Sequence, residues 1–189
     1  EVGLGGRLDA TNVLTPLKSV ITSLSYDHTS LLGDTLAEIA FEKGGIIKPD
    51  VPVVTAPQEQ EALATLEEVA AERGNHLEVV GRDWQYTGGS KQLTVTRSPD
   101  AAYVPPGTTF EIALSGLFQL ENGMLAIAAL SPFYERYPQV TLETIQRGLV
   151  SVQWDGRMQI VFDEPGFPAL LVDSAHNPHS VGKLVTALQ

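Results

Sequence analysis

The first half of the chain alternates short apolar runs with longer segments in which apolar residues recur every three or four positions. The runs SVITSL (residues 19–24), VPVVTA and HLEVVG predict buried strands. A helix is predicted from about Thr35, because Thr35 and Glu38 have capping-box spacing and Gly44 and Gly45 supply a stop. A charged helix is predicted over PQEQEALATLEEVAAERGN. This alternation indicates an α/β fold with parallel strands.

The pattern changes after this unit. WQYTGGSKQLTVTRS predicts a β-hairpin with its turn around Gly88 and Gly89, and AAYVPPGTTFEIAL predicts a loop followed by a strand. LENGMLAIAALSPFYERY predicts one mostly buried helix, and TLETIQRGL a short one. After Val150 two strands, a Pro/Gly turn, a loop and a helix are predicted. We therefore place a domain boundary near Ser151, which gives domains 1–150 and 151–189.

Composition narrows the possible functions. The chain has 189 residues, no cysteine and a net charge of −11. No apolar run approaches the ~20 residues of a membrane span, so no membrane association is expected. The acidic balance argues against a nucleic-acid partner, although an anionic substrate fits if basic groups gather at one site. The chain starts without Met and stops within a helical pattern, so we expect a fragment of a longer protein.

Polar residues follow two predicted strands at the point where each strand ends. Asp27 and His28 come after SVITSL, and Asp173, His176 and Asn177 come after the apolar run ALLV. In open α/β sheets, ligands bind at the carboxyl ends of strands. A structural histidine in the first case and a helix cap with an Asn-Pro turn in the second are the ordinary alternatives, and both stay open.

The opening stretch EVGLGGRLDATNV is rich in glycine, which predicts a loop whose backbone approaches something closely. It is not a dinucleotide fingerprint, because Leu8 stands where that motif needs glycine. A simple turn remains possible, while Arg7 and Asp9 favour a ligand loop. Arg157 in WDGRM would by default be a solvated surface arginine.

Lys43 departs from the pattern of its helix. Leu36, Ile39 and Ala40 precede it on the same face, so a cation lies on the apolar stripe. A lysine in a last helical turn also complements the helix dipole and can extend to water, and this ordinary explanation stays open.

Five motifs together resemble the folylpolyglutamate synthase/dihydrofolate synthase family of the Mur ligase superfamily. They are EVGLGGRLDATN, DHTSLLGDTLAEIAFEKGGIIKP, LFQLENGMLAIAAL, WDGRM and LVDSAHNPHS, in the family's order across the chain. The resemblance implies an ATP-dependent amide ligase that adds L-glutamate to dihydropteroate or folates through an acyl phosphate. It implies part of a Mur-ligase-type ATPase domain, with a mainly parallel sheet, flanking helices and a β-hairpin, plus the start of a Rossmann-like domain.

The resemblance also assigns a metal site and a substrate site. Glu1 and His28 match the residues that hold catalytic Mg²⁺, and Lys43 matches a lysine that is carbamylated in the family. Burial disfavours an ammonium, and a neutral amine is the form that reacts with CO₂. The resulting carbamate could hold a second Mg²⁺. Asp9 and Ala10 match the pterin-contacting region, and Arg7 is placed with them in the substrate site.

The nucleotide site that the resemblance implies lies in the later motifs. Asn122 matches a contact to adenine, Arg157 a contact to the phosphates, and Asp173 a contact to the ribose. His176 matches an activity-linked histidine near ATP, so Lys43, Arg157 and His176 are the catalytic candidates. Phe118 stands where relatives often have histidine, which puts one polar nucleotide contact in doubt.

The family's phosphate-binding motif G-x-x-x-x-G-K-[ST] does not occur in this chain and would lie before Glu1. We therefore expect the isolated fragment to be inactive, and the full-length protein to be a cytoplasmic monomer acting on small molecules. Which folate substrate is used stays open. The alternatives are a peptidoglycan or cyanophycin-type ligase of the same superfamily, a non-enzymatic scaffold, and a metallohydrolase using Glu1, Asp27, His28 and His176, for which no H-E-x-x-H spacing exists.

Overall fold

The structure, a computed structural model, describes residues 1–89 and 91–188. Its first sheet has three parallel strands in the order β1-β2-β3. They are β1 (Ser19–Ile21), β2 (Val53–Thr55) and β3 (Leu77–Val79). The predicted α/β architecture with parallel strands is confirmed. The short helix α1 (Thr29–Leu32) follows β1.

Two crossover helices connect the parallel strands, namely α2 (Leu36–Gly44) and α3 (Gln60–Glu72). The capping box predicted for α2 is present, since the Thr35 hydroxyl accepts from the Glu38 amide and the Glu38 carboxylate accepts from the Thr35 amide. The apolar stripe of α2 packs with α3 in one apolar cluster. The pattern of the sequence is therefore satisfied on this face of the sheet.

The central strand β2 is buried on both faces. Val53 belongs to the cluster under α2 and α3, and Val54 belongs to a second cluster that contains Trp84, Tyr103 and Phe110. A strand covered on both sides has a continuous apolar run instead of an alternating one, which explains the sequence VPVVTA. The second cluster joins the parallel sheet to the elements that follow it in the chain.

An antiparallel sheet follows, with β4 (Gln85–Gly89), β5 (Gln92–Arg97) and β6 (Thr109–Glu111). The predicted hairpin is present, but its turn is not at the two glycines. Gly88 pairs with Leu93 and Gly89 with Gln92, so both belong to β4. The last pair of this ladder joins Gly89 and Gln92, and Ser90 lies outside the described residues.

The apolar segment after β6 forms two helices, although the sequence predicted one. The helix α4 (Leu117–Ala129) begins before the predicted start, and α5 (Ser131–Arg136) follows a break at Leu130. Pro132 explains the break, because it has no amide hydrogen to donate to the Ala128 carbonyl. The Ser131 hydroxyl donates to that carbonyl instead, at 3.1 Å. The helix α6 (Leu142–Ser151) completes this part of the chain.

The last segment holds the antiparallel pair β7 (Gln159–Phe162) and β8 (Leu170–Val172), followed by α7 (Pro178–Ala187). The boundary predicted near Ser151 falls on the last residue of α6. Among residues 152–188 none is buried, so this segment contributes little to the core; the domain ranges themselves stay a prediction. Within the described residues, every helix is too short or too polar to traverse a bilayer.

Lys18 anchors the start of β1 inside the protein. Its side chain is 1% exposed, and Nζ donates to Glu78 Oε2 at 2.9 Å and to the Ser131 hydroxyl at 3.0 Å. Trp84 Nε1 donates to the same Glu78 oxygen at 2.7 Å. A buried ammonium is tolerated only when its donors are matched in this way.

We expect Lys18→Met to lower the free energy of unfolding by about 3 kcal/mol, because Glu78 would keep its charge in a largely buried place without its cation. Chemical denaturation of the full-length protein measures this change. The matched variant is Lys18→Met/Glu78→Gln, whose amide oxygen still accepts from Trp84, and it should recover most of the loss. A Lys18→Met protein as stable as the wild type would contradict the assignment.

Candidate functional site

One cavity of about 870 Å³ lies between the end of β1, helix α4 and the last segment of the chain. Residues from five separated motifs line it. Of the site residues predicted from the sequence, the cavity brings together His28, Lys43, Asn122, Arg157, Asp173 and His176. A pocket shared by distant polar residues is the arrangement expected of a ligand site.

His28 occupies a strained position at the mouth of this cavity. Its backbone is left-handed, with φ 49° and ψ 36°, and it precedes the first residue of α1. Few residues other than glycine adopt this conformation, and such strain tends to collect at functional sites. The imidazole is mostly exposed and available to a ligand.

Asp27 connects His28 to the last segment of the chain. Its Oδ1 accepts from the His28 backbone amide at 2.9 Å, and its Oδ2 accepts from the Asn177 side-chain amide at 3.2 Å. The Nε2 atoms of His28 and His176 lie 3.8 Å and 3.6 Å from its two oxygens. The Asn177 hydrogen bond is the main cause that lowers the pKa of Asp27. The sequence singled out Asp27 by its place after a strand and in the metallohydrolase alternative, but gave it no role in the ligase site.

His176 has a fixed ring orientation. Its Nδ1 lies 3.0 Å from the Ser174 carbonyl oxygen, which can only accept, so Nδ1 carries a proton. In the neutral ring, Nε2 is then the free nitrogen, and it faces the cavity side occupied by Asp27. The ring therefore presents one defined atom to a ligand.

Lys43 ends the apolar face of α2 and points to the cavity, not to the core. Leu36, Ile39 and Ala40 on that face are buried, whereas Lys43 is half-buried and lines the pocket. Within residues 1–89 and 91–188, its Nζ makes no hydrogen bond and no ion pair. The cation that interrupts the apolar stripe of α2 in the sequence is thus, among the described residues, an amine without a hydrogen-bond partner at the cavity wall.

Arg157 and Asp173 lie on neighbouring loops of the last segment. The Arg157 guanidinium lies 5.8 Å from the centre of the Trp154 ring. Asp173 accepts from the Met158 amide at 2.9 Å with Oδ2 and from the Ala175 amide at 2.8 Å with Oδ1. Each carboxylate oxygen keeps a second lone pair for a ligand.

Asn122 reaches the cavity from α4. Its Nδ2 donates to the buried Gln119 side chain at 3.0 Å, which leaves its Oδ1 and one amide hydrogen for a ligand. Phe118 lines the cavity one turn earlier on the same helix. An aromatic ring therefore stands at the place where a histidine would offer a hydrogen bond.

Four predicted site residues are not part of the cavity wall: Glu1, Arg7, Asp9 and Ala10. Arg7 pairs with Glu42 of α2 at 2.8 Å. Gly6 explains the close approach that the glycine-rich stretch predicted, since a Cβ there would lie 3.0 Å from the Glu42 carbonyl oxygen. The loop is thus folded against the end of α2, and the substrate roles of its residues stay predictions.

Asp9 organises this loop. It accepts from the Thr11 hydroxyl at 2.6 Å, from the Thr11 amide at 2.8 Å and from the Gly3 amide at 2.9 Å. These bonds, with the Thr11 hydroxyl first, lower the pKa of Asp9 to about 2. Ala10 begins the short 3-10 helix that Asp9 caps.

A metal centre is not preformed in the described part of the chain, where no group of three His, Asp or Glu residues is arranged to hold an ion. Mg²⁺ commonly takes only one or two protein ligands and completes its shell with phosphate oxygens and water. The Glu1 carboxylate would supply an oxygen ligand of this kind and lies two residues before Gly3, which lines the cavity; His28 supplies only nitrogen, and Lys43 would supply oxygen only as a carbamate.

The chain is similar to curated and solved proteins along its whole length. No protein-family model matches it. It is 34% identical over 195 aligned positions to the dihydrofolate synthase/folylpolyglutamate synthase of Bacillus subtilis, covering 100% of this chain and 44% of that protein. It is 33% identical, with the same coverage, to the folylpolyglutamate synthase of Lacticaseibacillus casei.

Among solved structures, an FPGS-AMPPCP-folate complex matches with a TM-score of 0.86 at 33% identity, covering 100% of this chain and 45% of that one. The chain thus spans somewhat less than half the length of the proteins it matches. The similarity includes every element described above, because no part of the chain is left out of the match.

We expect the carboxyl group of Asp9 to titrate near pH 2 in the folded protein. The lowered pKa means that its contribution to loop stability is present above the unfolded value of about 3.9 and is lost as the pH falls through about 2. Carboxyl ¹³C shifts measured against pH test this. In Thr11→Val, which lacks the hydroxyl, the pKa should rise; an Asp9 that titrates alike in both proteins would contradict the assignment.

Proposed function

Since the chain is homologous along its whole length to the folylpolyglutamate synthase/dihydrofolate synthase family, we propose that the protein ligates L-glutamate to dihydropteroate or a folate with consumption of ATP. The observation that carries this proposal is the shared cavity, in which residues from five motifs meet. The cavity would take the nucleotide and the reacting carboxylate, and the rest of the site would come from parts of the protein beyond this sequence.

The nucleotide is proposed to lie between α4 and the last segment. The free Oδ1 and amide hydrogen of Asn122 match the donor and acceptor of an adenine edge, and the remaining lone pairs of Asp173 match two ribose hydroxyls. The Arg157 guanidinium would neutralise phosphate charge. Phe118 would offer an apolar face to the base instead of a hydrogen bond.

The reaction is proposed to run through an acyl phosphate. The substrate carboxylate takes the terminal phosphoryl group of ATP, and ADP leaves. The glutamate amine then attacks the carbonyl carbon, the amide bond forms and phosphate leaves with the electron pair of the broken C–O bond. His176 is proposed to contact the phosphates through Nε2, which would have to carry a proton to donate to a phosphate oxygen, because Nδ1 is engaged with the Ser174 carbonyl. The chain's proposed contribution is positioning and charge neutralisation.

Mg²⁺, when bound, would offset the charge of the transferring phosphoryl group. Glu1, His28 and Lys43 are the proposed ligands. Lys43 would serve as its carbamate, because its Nζ makes no hydrogen bond or ion pair in the described chain and a neutral amine adds to CO₂ with loss of one proton. The product is an anion with two oxygen atoms, which suits a hard cation.

We expect the full-length protein to release ADP only when ATP, glutamate and dihydropteroate or a folate are all present. A coupled ADP assay measures this, with UDP-muramoyl peptides as the competing substrate class. Arg157→Ala should raise the KM for ATP at least about tenfold, because a charged hydrogen bond to phosphate is lost. Arg136→Ala, an exposed arginine of α5, is the matched control. Turnover with a muramoyl peptide and not with a folate would refute the proposed substrate.

We expect Lys43 to carry a carbamate in the full-length protein with nucleotide and Mg²⁺. Incubation with ¹³C-bicarbonate should give a carbamate ¹³C resonance that is absent in Lys43→Arg. Lys48→Arg, which changes a nearby lysine engaged with the Asn12 carbonyl, should keep the resonance. A wild-type spectrum without the resonance, together with electron density that ends at the ammonium, would restore the ordinary explanation of a helix-terminal lysine.

A further inference from the structure

Asp27 is the residue at which the loop after β1 meets the loop before α7. The two partners of its side chain, His28 and Asn177, are separated by almost the whole chain, and the Asn177 contact spans 150 positions. The segment after α6 has no buried residue to hold it in place. A specific polar contact therefore has more influence on its position than it would have inside a packed core.

The two carboxylate oxygens of Asp27 have different partners. Oδ1 accepts from the His28 backbone amide, which orients the carboxylate. Oδ2 is then directed to Asn177 and to Nε2 of His176.

Asn177 is fixed from both ends of its amide group. Its Oδ1 accepts from the Ser180 amide at 2.9 Å and caps α7, so its Nδ2 must point away from the helix. That Nδ2 donates to Asp27. The contact is thus possible in one orientation of the side chain only, and it ties the first turn of α7 to the end of β1.

We propose that Asp27 is a positioning residue that holds the loop of residues 174–177 against the end of β1, so that His28 and His176 face one cavity. The roles of the two histidines in this inference, metal binding by His28 and phosphate contact by His176, rest on the proposed function. The contact itself can be tested whether or not the ligase activity is found.

The test is an exchange of the two side chains in the full-length protein. In Asp27→Asn only one side-chain atom can still accept a hydrogen bond. The side chain therefore cannot accept from both the His28 backbone amide and the Asn177 side-chain amide. Asn177→Asp still caps α7 but puts a second carboxylate beside Asp27. Asp27→Asn/Asn177→Asp restores one donor and one acceptor in reversed order. Asp34→Asn, an exposed carboxylate between α1 and α2, is the matched control.

Each single variant should raise the hydrogen-exchange rate of the amides in residues 174–181 about tenfold, as expected for the loss of a hydrogen bond to a charged group. The exchanged pair should return to within about twofold of the wild type, and Asp34→Asn should not differ from it. In the ligase assay, kcat/KM for ATP should fall in the single variants and recover in the pair, with little change in the melting temperature.

Two results would overturn the inference: unchanged exchange rates in Asp27→Asn, or an exchanged pair that behaves no better than the single variants. The second result would show that Asp27 acts through something other than Asn177. A wild-type protein without ligase activity whose exchange rates nevertheless follow the expected cycle would refute the proposed function alone. The two hypotheses therefore fail in distinguishable ways.

Discussion

The common direction of β1, β2 and β3 is the constraint on which the site depends. Parallel strands require crossover helices, and α2 and α3 return the chain to the same edge of the sheet before each new strand. The loop that carries Asp27 and His28 therefore leaves the sheet at its carboxyl edge. Helix α4 packs on the other face of the sheet from α2 and α3, so the cavity forms where this edge, α4 and the last segment meet.

The elements that depend on local chemistry could be predicted from the sequence. The capping box of α2 and the apolar runs of the three parallel strands were predicted, because each is decided within a few residues. The continuous helix predicted across Pro132 was wrong, because the apolar pattern continues through a position whose missing amide hydrogen breaks the backbone ladder. The hairpin was predicted but its turn was misplaced, since strand pairing took in both glycines.

The sequence predicted which residues line the cavity better than it predicted the hydrogen bonds between them. Six of the predicted residues line one cavity: five follow a strand, end a helix or lie on the cavity face of α4, and Arg157 lies in the loop between α6 and β7. The Asp27–Asn177 contact could not be predicted, because it depends on how α7 is placed over the first domain. The opening loop shows the reverse case: Arg7 and Asp9 are already engaged with Glu42 and Thr11, which a glycine-rich sequence alone does not reveal.

The distribution of charge around the cavity has a kinetic consequence. The chain carries a net charge of −11, and inside the cavity the cations are balanced by carboxylates: Asp27 and Asp173 line it with Lys43 and Arg157, and Lys183 pairs with Glu121. A polyanion approaching from solution is repelled by the net charge of the chain. Salt screens this repulsion beyond about a Debye length, so the association rate of the polyanion should rise with ionic strength.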